Sequence, residues 1–131
     1  MRTRILMSAS AVFMGIIGLV LSFLPQEMLG SVGVPPVAAL VVLVQVTGAL
    51  YLGFAFMNWM ARGVMIGGIY SRPLALGNFL HFAVVAATLL KAMTHFDLPV
   101  VYAVSAAYTL FAAWFAVVLF TSPVGRRKGE G

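Results

Sequence analysis

Residues 37–60 read VAALVVLVQVTGALYLGFAFMNWM, a run without one charged side chain. An α-helix rises about 1.5 Å per residue, so about 20 apolar residues cross the roughly 30 Å hydrocarbon core of a membrane. The run is long enough to do so, and its polar members, such as Gln45 and Asn58, are uncharged. This stretch therefore predicts a membrane-spanning helix.

Three further apolar runs flank this stretch. Prolines separate the runs, and the pair Pro35-Pro36 suits an interfacial loop because proline fixes an extended backbone. We therefore expect an all-α fold, an integral membrane four-helix bundle. The expected spans are 5–24, 37–60, 74–93 and 100–120, within a single transmembrane domain over 1–124 that precedes a basic cytoplasmic tail at 125–131.

The composition of the chain also indicates a membrane protein. Hydrophobic residues make up 63% of the chain and charged residues only 8%, whereas soluble domains carry about a quarter charged residues. The mean hydropathy is +1.08. These values exclude a soluble globular enzyme, a disordered tail and a disulfide-rich secreted domain. The absence of cysteine further excludes thiolate metal sites, iron–sulfur clusters and cysteine nucleophiles.

The basic side chains indicate how the spans are oriented. The formal net charge is +5, but the basic residues lie at the ends of apolar runs rather than in a stripe that would bind nucleic acid. In a four-span arrangement, Lys91 alone approaches the outer side. The others fall on the opposite side: Arg2, Arg4, Arg62, Arg72, Arg126, Arg127 and Lys128. Because cytoplasmic loops are enriched in Lys and Arg, both termini are expected in the cytoplasm.

Pairs of small residues four positions apart occur in every predicted span. In lipid, such pairs allow two helices to approach closely, which favours their association. We expect these pairs mainly to pack the monomer. They are Ala11/Gly15, Ala49/Gly53, Ala83/Ala87, Ala103/Ala107 and Ala112/Ala116.

Polar side chains collect on the second and third predicted spans. Tyr51, Asn58 and Arg62 share one helix face, and Asn78 and His81 share a face of the next helix. Polar groups in a membrane are costly, and they usually face the interior of a bundle, often at a functional site. We therefore expect a cytoplasm-facing pocket for a quinone or a lipid-like amphiphile. The candidate ligand-binding residues are Gln45, Tyr51, Asn58, Arg62, Arg72, Asn78 and His81.

Simpler interpretations of the same residues stay open. Asn58, Asn78 and His81 can hydrogen-bond across the helix pair as structural contacts, each contributing about 1 kcal/mol or less. Arg62 and Arg72 can anchor the topology by extending toward lipid phosphates. The sequence alone does not decide between a pocket and a packed polar seam.

Other kinds of chemistry are disfavoured by what the spans lack. No predicted span contains Asp or Glu, on which proton-coupled transport and acid–base catalysis usually depend within a membrane. A bis-histidine haem needs two histidines at a similar depth. It is disfavoured because His95 lies roughly 21 Å from His81 along the helix axis. We expect no catalytic residue, no metal site and no cofactor other than a bound quinone.

Three features of the first two spans carry a family resemblance. They are Phe23-Leu24-Pro25, Gly48-Ala49-Leu50-Tyr51-Leu52-Gly53-Phe54, and Arg62 just after the second span. With these features the chain resembles the DoxX-like group of small bacterial four-helix membrane proteins over most of residues 5–120. The resemblance implies a location in the bacterial inner membrane and a subunit or accessory role around quinone-linked membrane oxidoreductases.

The leading functional hypothesis is a non-enzymatic subunit or accessory factor of a membrane complex. Its partners are then membrane lipids, other subunits of the complex or further copies of the chain, and not nucleic acid. The alternative is a small oligomeric transporter or channel whose pathway passes Gln45, Asn58, Asn78 and His81. An enzyme acting on a lipid-like substrate is disfavoured because the spans lack carboxylates.

Overall fold

The computed structural model describes residues 2–63 and 71–121, and this part of the chain contains five helices. They are α1 (Arg2–Phe23), α2 (Pro25–Ser31), α3 (Ala38–Ala61), α4 (Arg72–Ala92) and α5 (Pro99–Thr121). All but α2 are long and apolar enough to cross a membrane. Helices suit such segments because lipid offers no partner for backbone N–H and C=O groups. The all-α prediction is confirmed, and the four long helices support a multi-pass membrane protein.

The observed long helices begin and end within three residues of the predicted spans. The chain divides into two compact units, Met1–Gly63 and Val64–Gly131. We call the first the α1–α3 unit and the second the α4–α5 unit, and each is described by itself. The bundle arrangement, the single domain over 1–124 and the cytoplasmic termini stay predictions, and the basic tail at 125–131 lies outside the described residues.

The short helix α2 is a structural element that the sequence analysis missed. It starts with Pro25 in its first turn, where the missing N–H of proline costs no hydrogen bond. It ends at a Schellman motif, in which Val34 N donates to Leu29 O at 2.9 Å and Gly33 N donates to Gly30 O at 3.1 Å. Gly33 takes a φ of +74°, a backbone conformation that favours glycine.

In the α1–α3 unit, α1 and α3 pack against each other through glycines. A Cβ atom placed on Gly18 would lie 2.9 Å from Leu52 N. A Cβ atom on Gly48 would lie 2.7 Å from Ser22 N and 2.5 Å from Ser22 Oγ. Later residues of α1 thus meet earlier residues of α3, so the two helices are antiparallel. Their backbones approach so closely that neither position has room for a methyl group.

In the α4–α5 unit, aromatic rings fill the contact between the two helices. Phe82 of α4 is fully buried. Its ring centroid lies 5.0 Å from that of Phe111 and 5.5 Å from those of Phe115 and Tyr108 on α5. Such offset ring pairs contribute attraction beyond the area that they bury. This unit is therefore held by large side chains, with Phe82 at its centre.

Candidate functional site

The candidate residues fall in both units of the chain. Gln45, Tyr51, Asn58 and Arg62 belong to α3 or follow it directly, and Arg72, Asn78 and His81 belong to α4. Within each unit the structure shows which neighbours these side chains have. A single pocket built from both groups stays a prediction.

The predicted polar face of α3 packs against α1 at its centre. Ala55 and Asn58 are buried, and a Cβ atom on Gly15 of α1 would lie 3.6 Å from Ala55 Cβ. Tyr51 and Arg62, at the two ends of this face, are partly exposed. The face therefore forms a helix contact in its middle and is open to its surroundings at its ends.

The Asn58 side chain bridges α3 and α1. Its Nδ2 donates to Ser10 Oγ at 3.1 Å and contacts Met14 Sδ at 3.8 Å, and both Asn58 and Ser10 are fully buried. Ser10 Oγ in turn donates to the Met7 carbonyl at 3.0 Å. This chain of hydrogen bonds matches the structural interpretation of Asn58, because a buried amide pairs with a hydroxyl across a helix contact.

Gln45 makes a second polar link between the same helices, near their other end. Its Nε2 donates to the Ser22 carbonyl at 3.4 Å, a long hydrogen bond, and the Gln45 side chain is exposed. Ser22 is also the residue that meets Gly48 at the close backbone approach. Gln45 and Asn58 therefore lie at opposite ends of the α1–α3 contact.

Arg62 lies directly after α3 and folds back on its last turn. Its Nη1 donates to the Trp59 carbonyl at 2.7 Å, and its guanidinium carbon lies 3.9 Å from the centroid of the Trp59 ring. The first contact caps an end carbonyl of the helix, and the second is a cation–π contact. The charged group is therefore held in one place beside an aromatic ring.

Arg72 and Asn78 differ sharply in burial although both lie in the first half of α4. Arg72 is the first residue of the helix and is exposed, whereas Asn78 is fully buried, roughly 9 Å farther along the axis. Asn78 Nδ2 donates to the Leu74 carbonyl one turn earlier at 2.9 Å. The α4 helix therefore carries a fully buried amide inside a membrane-spanning segment.

His81 is partly exposed and packs among the aromatic rings of the α4–α5 unit. Its ring centroid lies 5.3 Å from that of Phe82 in an edge-to-face arrangement and 6.1 Å from that of Tyr108 on α5. Tyr108 is almost fully buried. An imidazole and a phenol thus lie side by side within the span, one turn of helix beyond Asn78.

Tyr108 and Trp59 are potential site residues that the sequence analysis did not assign to the site. Antiparallel helices joined by a short turn pair residues at equal distances from the turn, and this rule brings Tyr108 of α5 close to His81 of α4. For Trp59, the signal is its position three residues before Arg62, which places the two side chains on one face of a helix.

Comparison of the chain with protein-family models, with curated proteins and with solved structures finds no match. The resemblance to the DoxX-like group therefore stays a prediction from three short sequence features. The functional assignment depends on the residues themselves, above all on the ring cluster around His81 and on the aromatic–cation pair at the end of α3.

Proposed function

We propose that this chain is a non-enzymatic subunit or accessory factor of a membrane complex, and that it binds a quinone or a similar ring-bearing amphiphile beside His81. The observation that carries the proposal is the position of His81, a partly exposed imidazole packed against the rings of Phe82 and Tyr108 within a membrane-spanning helix. An ionisable side chain at such a depth is a functional-site hypothesis by default.

The chemistry of this cluster matches a quinone. A quinone headgroup is a planar ring whose carbonyl oxygens accept hydrogen bonds. A neutral imidazole offers one N–H donor and one acceptor nitrogen, and aromatic side chains pack favourably against a flat ring. His81 as a residue is partly exposed, while its Nε2 atom is buried, so a ligand that diffuses in the membrane reaches this nitrogen when the neighbouring rings move aside.

Other residues of the chain favour an accessory role over catalysis or transport. None of the four spans contains Asp or Glu to exchange protons with a substrate. Gln45 and Asn58, two residues of the transport pathway considered above, direct their amides at Ser22 and Ser10 in the contact between α1 and α3. The proposed location, in keeping with the DoxX-like resemblance, is the bacterial inner membrane with both termini in the cytoplasm.

A binding titration with a benzoquinone carrying a decyl tail tests the proposal on the full chain in mild detergent. We expect saturable binding to the wild-type protein. His81→Phe keeps an aromatic ring but removes both nitrogens, so it should weaken binding about tenfold, the value of one well-placed hydrogen bond. The matched control is His95→Phe, which makes the same change at an exposed turn beyond α4.

Two results of this titration and one result of a separate flux measurement are informative. Weaker binding to His81→Phe alone supports the site. Equal affinity of all three proteins overturns it, since binding then reflects partition into the detergent micelle. Solute flux in vesicles that contain the wild-type protein, abolished by His81→Phe, would instead favour the transporter alternative.

A further inference from the structure

A groove runs along the α1–α3 unit, between α1 and α3. Its volume is about 370 Å³. Ala11, Gly15 and Ala55 form its floor, and Phe56 and Trp59 are among the larger side chains that form its walls. Phe56 and Trp59 are 69% and 46% exposed, so the walls stand out from the unit. The groove is therefore apolar and open on one side, with small residues at its base.

The groove is shorter than one leaflet of the hydrocarbon core. On α3 it extends from Leu52 to Trp59, about 10 Å along the axis. One leaflet of the hydrocarbon core is about 15 Å deep, so the groove can hold part of one lipid tail. Beyond Leu52 the floor closes, because Gly48 and Ser22 bring the two backbones together. The groove thus occupies the half of the span that ends at Arg62.

A basic side chain is held at this end of the groove. Arg62 stacks on Trp59, which is itself a wall of the groove, and one of its five N–H groups donates to the Trp59 carbonyl. Among the described residues, the remaining N–H groups of Arg62 have no hydrogen-bond partner. A guanidinium fork of this kind binds the oxygen atoms of a phosphate group.

A second basic residue lies at the same end of the unit. The buried contact between Ser10 and Asn58 fixes how α1 and α3 are aligned. Arg4 precedes Ser10 on α1, and Arg62 follows Asn58 on the antiparallel helix, so both arginines lie beyond this contact. Arg4 is exposed and borders an adjoining cavity that shares Val12 with the groove. The open end of the groove therefore carries positive charge.

We infer that the groove between α1 and α3 holds one acyl chain of an anionic phospholipid, whose phosphate group is bound by Arg62. The apolar groove accommodates the tail, Trp59 lies at the boundary between tail and headgroup, and Arg4 adds charge at the same end. This site uses no residue of α4 or α5. It goes beyond the proposed function and does not depend on it.

Fluorescence quenching by brominated lipids tests this inference, because a bromine atom quenches a tryptophan only on close approach. The chain contains two tryptophans, so Trp114→Phe leaves Trp59 as the single reporter. The full chain is reconstituted in phosphatidylcholine vesicles that hold a minor fraction of tail-brominated phosphatidylglycerol. A second set of vesicles consists of phosphatidylglycerol with a minor fraction of tail-brominated phosphatidylcholine. We expect phosphatidylglycerol to be about fivefold preferred next to Trp59, the size expected for one basic side chain near a membrane surface.

Two variants, one of them with a matched control, distinguish the contribution of the Arg62 charge to lipid binding from that of the groove. Arg62→Gln should remove most of the preference for phosphatidylglycerol. Gly15→Leu fills the floor of the groove and should reduce quenching by both brominated lipids. Its control is Gly53→Leu, which adds the same side chain to an exposed position of α3 with no other atom within 4 Å of an added Cβ.

Equal quenching of Trp59 by the two brominated lipids would overturn the inference, because any lipid then contacts this surface. Quenching that falls as protein density in the vesicles rises would also overturn it, since a second copy of the chain then occupies the groove. His81→Phe should leave the preference unchanged. The experiments can therefore refute the lipid site and the quinone site independently of each other.

Discussion

Each of the two units packs two apolar helices against each other, and the two contacts are of opposite kinds. In the α1–α3 unit, Gly18 and Gly48 bring the backbones of α1 and α3 together, and the amide of Asn58 links the helices by hydrogen bonding. In the α4–α5 unit, the ring of Phe82 lies among aromatic rings of the partner helix. Lipid tails are as apolar as leucine, so neither pair is held by the exclusion of water.

This difference determines which changes each unit tolerates. A close backbone contact has no spare volume, so an added methyl group is harmful while the loss of a nearby large side chain matters less. A contact between large rings depends on their volume, so the removal of a ring leaves a cavity. The two units should therefore show opposite sensitivities to added and to removed atoms.

The largest expected effect is the removal of the central ring of the α4–α5 unit. Phe82→Ala deletes a fully buried side chain and should lower the free energy of unfolding by about 3 kcal/mol. Thermal and denaturant unfolding in detergent, followed by circular dichroism, measure this change. Leu80→Ala is the matched control, because Leu80 on the same helix is half exposed. Equal losses from both variants would contradict the packing described for this unit.

Added volume in the α1–α3 unit should produce the next largest effect. Gly48→Ala places a methyl group against the backbone nitrogen of Ser22 and should cost about 2 kcal/mol, since the helices must move apart. Gly53→Ala adds the same methyl group to open space and should be neutral or slightly stabilising. The difference in unfolding temperature between these two variants measures the effect. Similar temperatures would show that the helices do not meet at Gly48.

A smaller effect is expected at the connection between the two long helices of the first unit. Gly33→Ala forces a side chain into a left-handed backbone conformation and should cost about 1 kcal/mol. Gly30→Ala, within the short helix α2, has open space and no such strain, so it is the control. Hydrogen exchange of the α2 amides should become faster in the first variant only. Unchanged exchange in both would argue against the Schellman motif.

The smallest expected effect is the coupling between Ser10 and Asn58. A double-mutant cycle with Ser10→Ala and Asn58→Leu should give a coupling of about 0.6 kcal/mol, typical of hydrogen bonds between membrane helices. Unfolding of the wild type, both single variants and the double variant supplies the four values needed. If the effects of the two single substitutions on the free energy of unfolding simply add, Ser10 and Asn58 are not coupled. The Asn58 amide would then be available to a ligand.

Much of the fold could be predicted from the sequence because spans are recognised by length and apolarity alone. Four largely apolar runs predicted the ends of the long helices to within three residues. The short helix α2 is too short to show a periodic pattern. Its signals, Pro25 at the start and Gly33 just past the end, are visible in the sequence but are also typical of a loop.

The faces of the helices were harder to predict than their bounds. Gly53, in the predicted pair Ala49/Gly53, is exposed and has open space, whereas the close approach occurs at Gly48. In a soluble protein, polar residues would mark the outer face of α3. In a membrane protein, the lipid-facing and helix-facing sides are both apolar, so the sequence does not distinguish these glycines.

The candidate site was predicted only as a set of polar residues. Depth in the membrane follows from position along a helix, and this indicated Asn58, Asn78 and His81. The partners depend on which helix faces which, and the pairing of Asn58 with Ser10 required the alignment of α1 and α3. The approach of Tyr108 to His81 likewise became visible only when α4 and α5 were placed side by side.

The most direct test of the quinone site beside His81 is native mass spectrometry of the full chain, extracted from its own membrane in lipid nanodiscs. The measurement records bound small molecules and copurifying proteins together for the wild type, His81→Phe and His95→Phe. We expect a discrete quinone-sized ligand on the wild type and on His95→Phe, and its loss from His81→Phe. A protein without such a ligand in all three samples, or the same ligand on all three, would contradict this expectation.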